Sequence, residues 1–163
     1  FGGGATVERR LEIMKDSRIG AFAGVALAAQ FVLRAGLLGE AIDRFDAIGA
    51  GLVLVAVAVL ARVAPLLLMV ALAPARADGL GRAAGRPEGR ALAVALAGGL
   101  GAFALLTGPI AGAVPTIFAL GLGAVALAGL GGMARQKIGG FTGDVVGAGT
   151  IVVEIAVMVG LLI

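Results

Sequence analysis

Ala47-Ile48-Gly49-Ala50-Gly51-Leu52-Val53-Leu54-Val55-Ala56-Val57-Ala58-Val59-Leu60-Ala61 runs without a charge or a side-chain hydrogen-bonding group. Arg62 and Pro65 interrupt it, and the apolar character then continues to Ala73. At about 1.5 Å per residue a helix over 47–73 is long enough to cross a hydrocarbon layer of roughly 30 Å. Working outward, residues 19–38 form a second such stretch and 142–163 a third. Residues 91–132 are too long for one crossing. Thr107-Gly108-Pro109 and Pro115 divide them, which predicts a tight helical hairpin. Extended alternation of the kind that builds a membrane barrel is missing. The sequence therefore predicts an all-α, polytopic transmembrane helical bundle with about five spans. It forms a single integral-membrane domain over 1–163. The opening Phe1-Gly2-Gly3-Gly4, with no Met, reads as entry through a loop into the C-terminal part of a longer protein.

Composition agrees with that fold class. Of the 163 residues 60% are hydrophobic and 14% charged, against about 25% charged in soluble domains. Mean hydropathy is +1.10. The 29 glycines predict helices packed through small residues, and Gly20/Gly24, Gly108/Gly112 and Gly143/Gly147 have the matching spacing. With no Cys, His, Trp or Tyr, thiolate sites, haem ligation and imidazole acid–base chemistry are excluded. A metal would be held by Asp or Glu oxygens, which favours Mg²⁺, Mn²⁺ or Ca²⁺. A net charge of +3, scattered along the chain, argues against nucleic-acid binding.

The basic residues set the orientation. Arg9, Arg10, Lys15 and Arg18, then Arg76, Arg82, Arg86 and Arg90, then Arg135 and Lys137 make up ten of the 13. Five spans put these three segments on one side, which the positive-inside rule makes cytoplasmic. The opposite connections are acidic at Glu40, Asp43 and Asp46, or uncharged around Pro109.

Three polar clusters therefore share a face. In the stretch from Glu8 to Gly20, an interfacial helix with snorkelling cations competes with a functional reading. In the latter Asp16 binds a metal while Lys15 and Arg18 hold phosphate oxygens, as phosphoryl transfer requires. Arg62 lies eleven residues from Ala73, deep inside a span, and predicts a polar cavity opening to the cytoplasm. Arg76-Ala77-Asp78-Gly79-Leu80-Gly81 can be read as an ordinary hydrophilic turn. Around Thr142 and Asp144, Gly139, Gly140, Gly143 and Gly147 clear side chains so that a bulky ligand can approach the backbone. The plainer reading of Asp144 is charge complementarity with a helix N-terminus. Glu154, deeper in the same helix, predicts an intrahelical partner or a metal route.

Residues 8–20, the stretch from Arg62-x-x-Pro65 to Ala75-Arg76-Ala77-Asp78-Gly79-Leu80-Gly81, and Lys137-Ile138-Gly139-Gly140-Phe141-Thr142-Gly143-Asp144 closely resemble the cobalamin synthase family, the adenosylcobinamide-GDP ribazoletransferases. The match runs in order over nearly the whole chain. The resemblance implies a Mg²⁺-dependent enzyme of the bacterial inner membrane. It would join adenosylcobinamide-GDP to α-ribazole or its 5′-phosphate and release GMP. It further implies Asp16 and Asp144 as metal ligands, and Lys15 and Arg18 beside them in catalysis. Ser17, Arg62, Arg76, Asp78, Gly79, Gly139, Gly140, Thr142 and Gly143 would bind substrate. The lipid bilayer is the expected surrounding, and a homo-oligomer is left open. The family's Asp-Gly-x-x-Asp-x-x-Asp-Gly motif would lie upstream of Phe1, so this segment alone is expected to lack activity. The competing readings are a CDP-alcohol phosphotransferase, whose Asp-Gly-x-x-Ala-Arg element is absent here, and a transporter subunit. The transporter would use Arg34, Arg62 and Glu154 as pathway charges.

Overall fold

The computed structural model describes residues 3–16, 20–76 and 85–163, and these are almost wholly helical. A short amphipathic helix, α1 (Val7–Lys15), precedes α2 (Ala21–Ala61), α3 (Val63–Ala71), α4 (Gly89–Ala111), α5 (Ala113–Ile138) and α6 (Gly143–Leu162). Among the described residues the one β-type pairing is an isolated parallel bridge between Pro74 and Phe141.

The stretch Ala21–Ala71 is 51 residues of apolar helix. Drawn straight it would measure about 76 Å, more than twice the hydrocarbon thickness. It folds back instead. In its first limb, Arg34 pairs with Glu154 and Arg44 donates to the Leu162 carbonyl, so this limb runs in step with α6. In the second limb, Leu54 shares a cavity with Met158, and Leu68 meets Gly149, so that limb runs against α6. Leu37 and Leu38 line the same cavity as Leu54, as the two arms of a hairpin should. The reversal is at Asp46, whose φ of 60° and ψ of 177° depart from the helical backbone on either side. Its carboxylate accepts from the Ile48 and Gly49 N–H groups, both at 2.8 Å, and so caps the returning limb. The four apolar helical stretches long enough to cross a membrane thus supply five helical limbs, because the first of them is folded in two. The first pass is longer than predicted: Glu40 and Asp43 belong to the helix and not to a loop. Between α2 and α3 the break is a single residue, Arg62. Pro65 has no N–H to offer the Ala61 carbonyl, which accounts for the interruption.

The α4–α5 hairpin turns later than the prolines suggested. Pro109 stands inside α4, and Pro115 sits in the first turn of α5, where its missing N–H costs nothing. The turn itself is Gly112, with φ 89°, a conformation that favours glycine. Beneath it the buried Thr107 and Thr116 hydroxyls donate to the Phe103 and Gly112 carbonyls at 2.8 and 2.7 Å, and lie 3.2 Å apart.

Close packing does use glycine, but not at the spaced pairs named above. A Cβ added at Gly20, Gly24, Gly108, Gly143 or Gly147 would meet nothing within 4 Å. One added at Gly99 would come within 2.6 Å of Val63, at Gly123 within 2.7 Å of Val157, at Gly149 within 2.6 Å of Leu68, and at Gly160 within 2.6 Å of Ala119. These four seat α4, α5 and α6 against their neighbours around a core of Val53, Val57, Phe103, Val157 and Leu161. The spacing signal failed because at this glycine content it occurs on lipid-facing surfaces as readily as at contacts.

Candidate functional site

All three polar clusters reach the same end of the bundle, the basic end. The segment leaving α3 and the loop entering α6 are stitched together through backbone. The Ala75 N–H donates to the Phe141 carbonyl at 2.8 Å, and the Phe141 N–H to the Ala73 carbonyl at 2.9 Å. Gly140 lies at this seam, where a Cβ would fall 2.1 Å from the Ala73 oxygen. Its missing side chain therefore makes room for the protein's own backbone and not, as expected from sequence, for a ligand.

Under the seam is a second apolar cluster: Leu68, Leu72, Ala134, Ile138, Phe141 and Val145, with Leu11 and Met14 of α1 laid over it. Two guanidinium groups fasten α1 there. Arg10 donates to the Lys137 carbonyl at 3.1 Å and Arg76 to the Leu11 carbonyl at 2.6 Å. Lys137 is in the last turn of α5, so Arg10 satisfies a carbonyl that has no intrahelical partner and places positive charge at a helix C-terminus. The Arg10 Nε is buried and unpartnered. Arg10 was not among the sequence candidates. Its signal was present, since Val7, Arg10, Leu11 and Met14 recur at the spacing of one helix face and are the half-buried residues of α1.

The remaining candidates fall into groups. Lys15 closes α1 and Asp16 is its C-cap, with the Asp16 N–H donating to the Ile13 carbonyl at 3.2 Å. Both side chains are exposed at the basic end. Ser17, Arg18, Asp78 and Gly79 lie outside the described residues. Gly139 terminates α5 with φ 77°. Thr142, only 6% exposed, caps α6 by accepting from the Val145 N–H at 3.4 Å. Gly143 and Asp144 are exposed in the first turn of α6, where the positive end of the helix dipole favours the carboxylate. Arg76 is half-buried and donates to the Leu11 carbonyl of α1.

Two expectations need correction. Arg62 lies exposed about ten residues down the helix from this end, apart from the other candidates. The cavity beside it, about 260 Å³, is lined by Leu60, Val63, Ala64 and other apolar side chains and not by the polar groups expected of it. Glu154 finds its partner on another helix, not along its own. At about 3.6 residues per turn it is rotated roughly 80° from Asp144. Its carboxylate instead pairs across the helix interface with Arg34, at 2.5 Å. That pairing engages with each other two of the three pathway charges a transporter would use, Arg34 and Glu154.

Among the described residues no group of three or more acidic side chains is gathered as a metal cage. Mg²⁺ is commonly held by one or two carboxylates, with waters and substrate phosphates completing its shell. As hard oxygen donors, Asp16 and Asp144 fit part of such a shell.

The family model for cobalamin-5-phosphate synthase (CobS) matches residues 1–162. The chain is 45% identical over 164 residues to the adenosylcobinamide-GDP ribazoletransferase of Azorhizobium caulinodans, covering 100% of this chain and 61% of that protein. It is 41% identical over 161 residues to the proteins of the same name from Sinorhizobium medicae and Rhizobium meliloti, in each case over 97% of this chain and 61% of the relative. The chain thus spans about three fifths of the length of these relatives. No solved structure matches it.

Proposed function

The chain belongs to the cobalamin-5-phosphate synthase family, and from that membership we propose that the whole protein is an adenosylcobinamide-GDP ribazoletransferase. It would join adenosylcobinamide-GDP to α-ribazole or its 5′-phosphate and release GMP. What supports this reading is the meeting of α1, the 73–76 segment and the 139–144 loop at one end of an apolar bundle. That end offers exposed carboxylates and cations to an anionic substrate. Most basic residues share it, which supports a cytoplasmic active face in the inner membrane. The CDP-alcohol phosphotransferase alternative loses its ground to the family match.

The reaction exchanges one phosphate ester partner for another. The α-ribazole hydroxyl oxygen bonds to the phosphorus on the cobinamide side, the bond from that phosphorus to the GMP oxygen breaks, and the hydroxyl proton is lost. Lys15 and Arg18 hold diphosphate oxygens as the displaced phosphate gains charge. Asp16 and Asp144 would hold Mg²⁺, which when bound supplies neutralisation of the diphosphate. Arg76 and Arg10 position α1, and with it Lys15 and Asp16, over the start of α6. Thr142 keeps that first turn wound. Gly143 leaves the space beside Asp144 open to a bulky corrinoid or nucleotide.

The test is an assay of purified full-length protein in detergent or proteoliposomes. GMP release from adenosylcobinamide-GDP should depend on added α-ribazole or its 5′-phosphate. Release at the same rate without either acceptor, or no release with both, would sink the assignment.

A further inference from the structure

A groove runs down one flank of the bundle, between α3 and α5. It consists of two cavities, about 260 and 400 Å³, that share Leu67, Ala124 and Leu127 as common wall. Its lining is apolar throughout except at the basic end. There Gly131 and Gly132 widen it and Arg135 stands at the mouth. From Gly123 to Arg135 the groove extends about 18 Å at 1.5 Å per residue. One leaflet of a hydrocarbon layer is roughly 15 Å deep. Arg135 is exposed, and among the described residues its guanidinium makes neither an ion pair nor a hydrogen bond.

We propose that this groove is a binding site for one anionic phospholipid, with an acyl chain along the α3–α5 wall and the headgroup phosphate on Arg135. The depth matches a single leaflet, and the cation lies where that leaflet's phosphates lie. Basic residues at the mouths of interhelical grooves on the positive side of a membrane take anionic headgroups for this reason. Without an anion beside it, Arg135 would be costly to cover. A lipid phosphate brings the missing charge and accepts two guanidinium N–H bonds at once.

The experiment uses the full-length protein reconstituted in nanodiscs of equal phosphatidylglycerol and phosphatidylcholine. It is then released into mild detergent for native mass spectrometry. One phosphatidylglycerol should be retained per protein, at least fivefold over phosphatidylcholine. Arg135→Gln should abolish that preference, and Arg135→Lys should keep most of it. Ala128→Leu with Gly132→Leu, one turn apart on the groove wall, should lower retention of both lipids about fivefold. Ala128 and Gly132 are both exposed, and a Cβ at Gly132 meets nothing within 4 Å; circular dichroism of the variant checks that the bundle is kept. Equal preference in wild type and Arg135→Gln would overturn the proposal, as would retention unaffected by the filled groove. A spin label on Gly132→Cys that oxygen cannot reach would assign the groove to a protein segment or second copy, and would overturn it too.

Discussion

Asp46 concentrates two opposing effects in one residue. Its backbone sits at positive φ, where a non-glycine residue is strained by about 1–3 kcal/mol. Its carboxylate recovers much of this by capping two N–H groups of the returning limb. Asp46→Ala should therefore lose the cap and keep the strain, destabilising the protein by about 1–2 kcal/mol. Asp46→Gly loses the same cap but relaxes the backbone, and should cost less than half as much. Reversible unfolding in mixed micelles, followed by circular dichroism, ranks the two; Gly costing more than Ala would mean the turn does not depend on this conformation. At the other end of the molecule, Asp144→Asn keeps size and helix start but removes the charge a hard cation needs. In the full-length enzyme it should leave less than about a tenth of wild-type GMP release at saturating Mg²⁺, because loss of a metal ligand costs several kcal/mol in the transition state. Arg18→Lys should also impair turnover, since a planar fork is exchanged for a point charge. Near-normal kinetics for both would reduce these residues to a helix cap and a membrane anchor.

Among the elements, the first limb of α2 turns most of its surface outward. Phe22, Val25, Phe31 and Val32 are exposed along it, and the Arg34–Glu154 pair is a main fastening to α6. Glu154 lies eleven residues into α6, about 16 Å and so near the middle of a hydrocarbon layer. Arg34→Met alone strands the carboxylate there and should destabilise by about 3–5 kcal/mol. The double variant Arg34→Met/Glu154→Leu should recover most of that, since no charge is left to strand. Additive losses in the same micelle unfolding assay would show that the two side chains do not interact. The pair also marks what could be read from sequence. Each charge was visible as an oddity inside an apolar run, but which helix faced it depends on packing over more than a hundred intervening residues. The spans themselves were legible because length and hydropathy are local. The tight glycines were not, because a contact is a property of two surfaces.

At the scale of the whole molecule the hydrophobic pattern and charge asymmetry agree, and together they specify a topology. Single cysteines at Gly85 and Lys137 should be shielded from an impermeant maleimide in intact cells, and those at Asp43 and Ala113 labelled. The native chain has no cysteine, so the background is clean. The reverse pattern would turn the basic end outward and remove the site from cytoplasmic substrates. That the three clusters lie at one end followed from span count. That they touch did not. The seam between the 73–76 segment and the 139–143 loop is made of backbone hydrogen bonds and has almost no side-chain signature beyond Gly140.

That seam makes the polar end mechanically continuous. A displacement of Asp144 toward a bound ligand pulls on Phe141, and through its two backbone bonds on the exit of α3. Through Arg76 it reaches Leu11, and so the helix that carries Lys15 and Asp16. Leu68 packs beneath them against Gly149 and Gly131. The described segments at this end are therefore joined in series by backbone and guanidinium hydrogen bonds, and do not stand as separate loops.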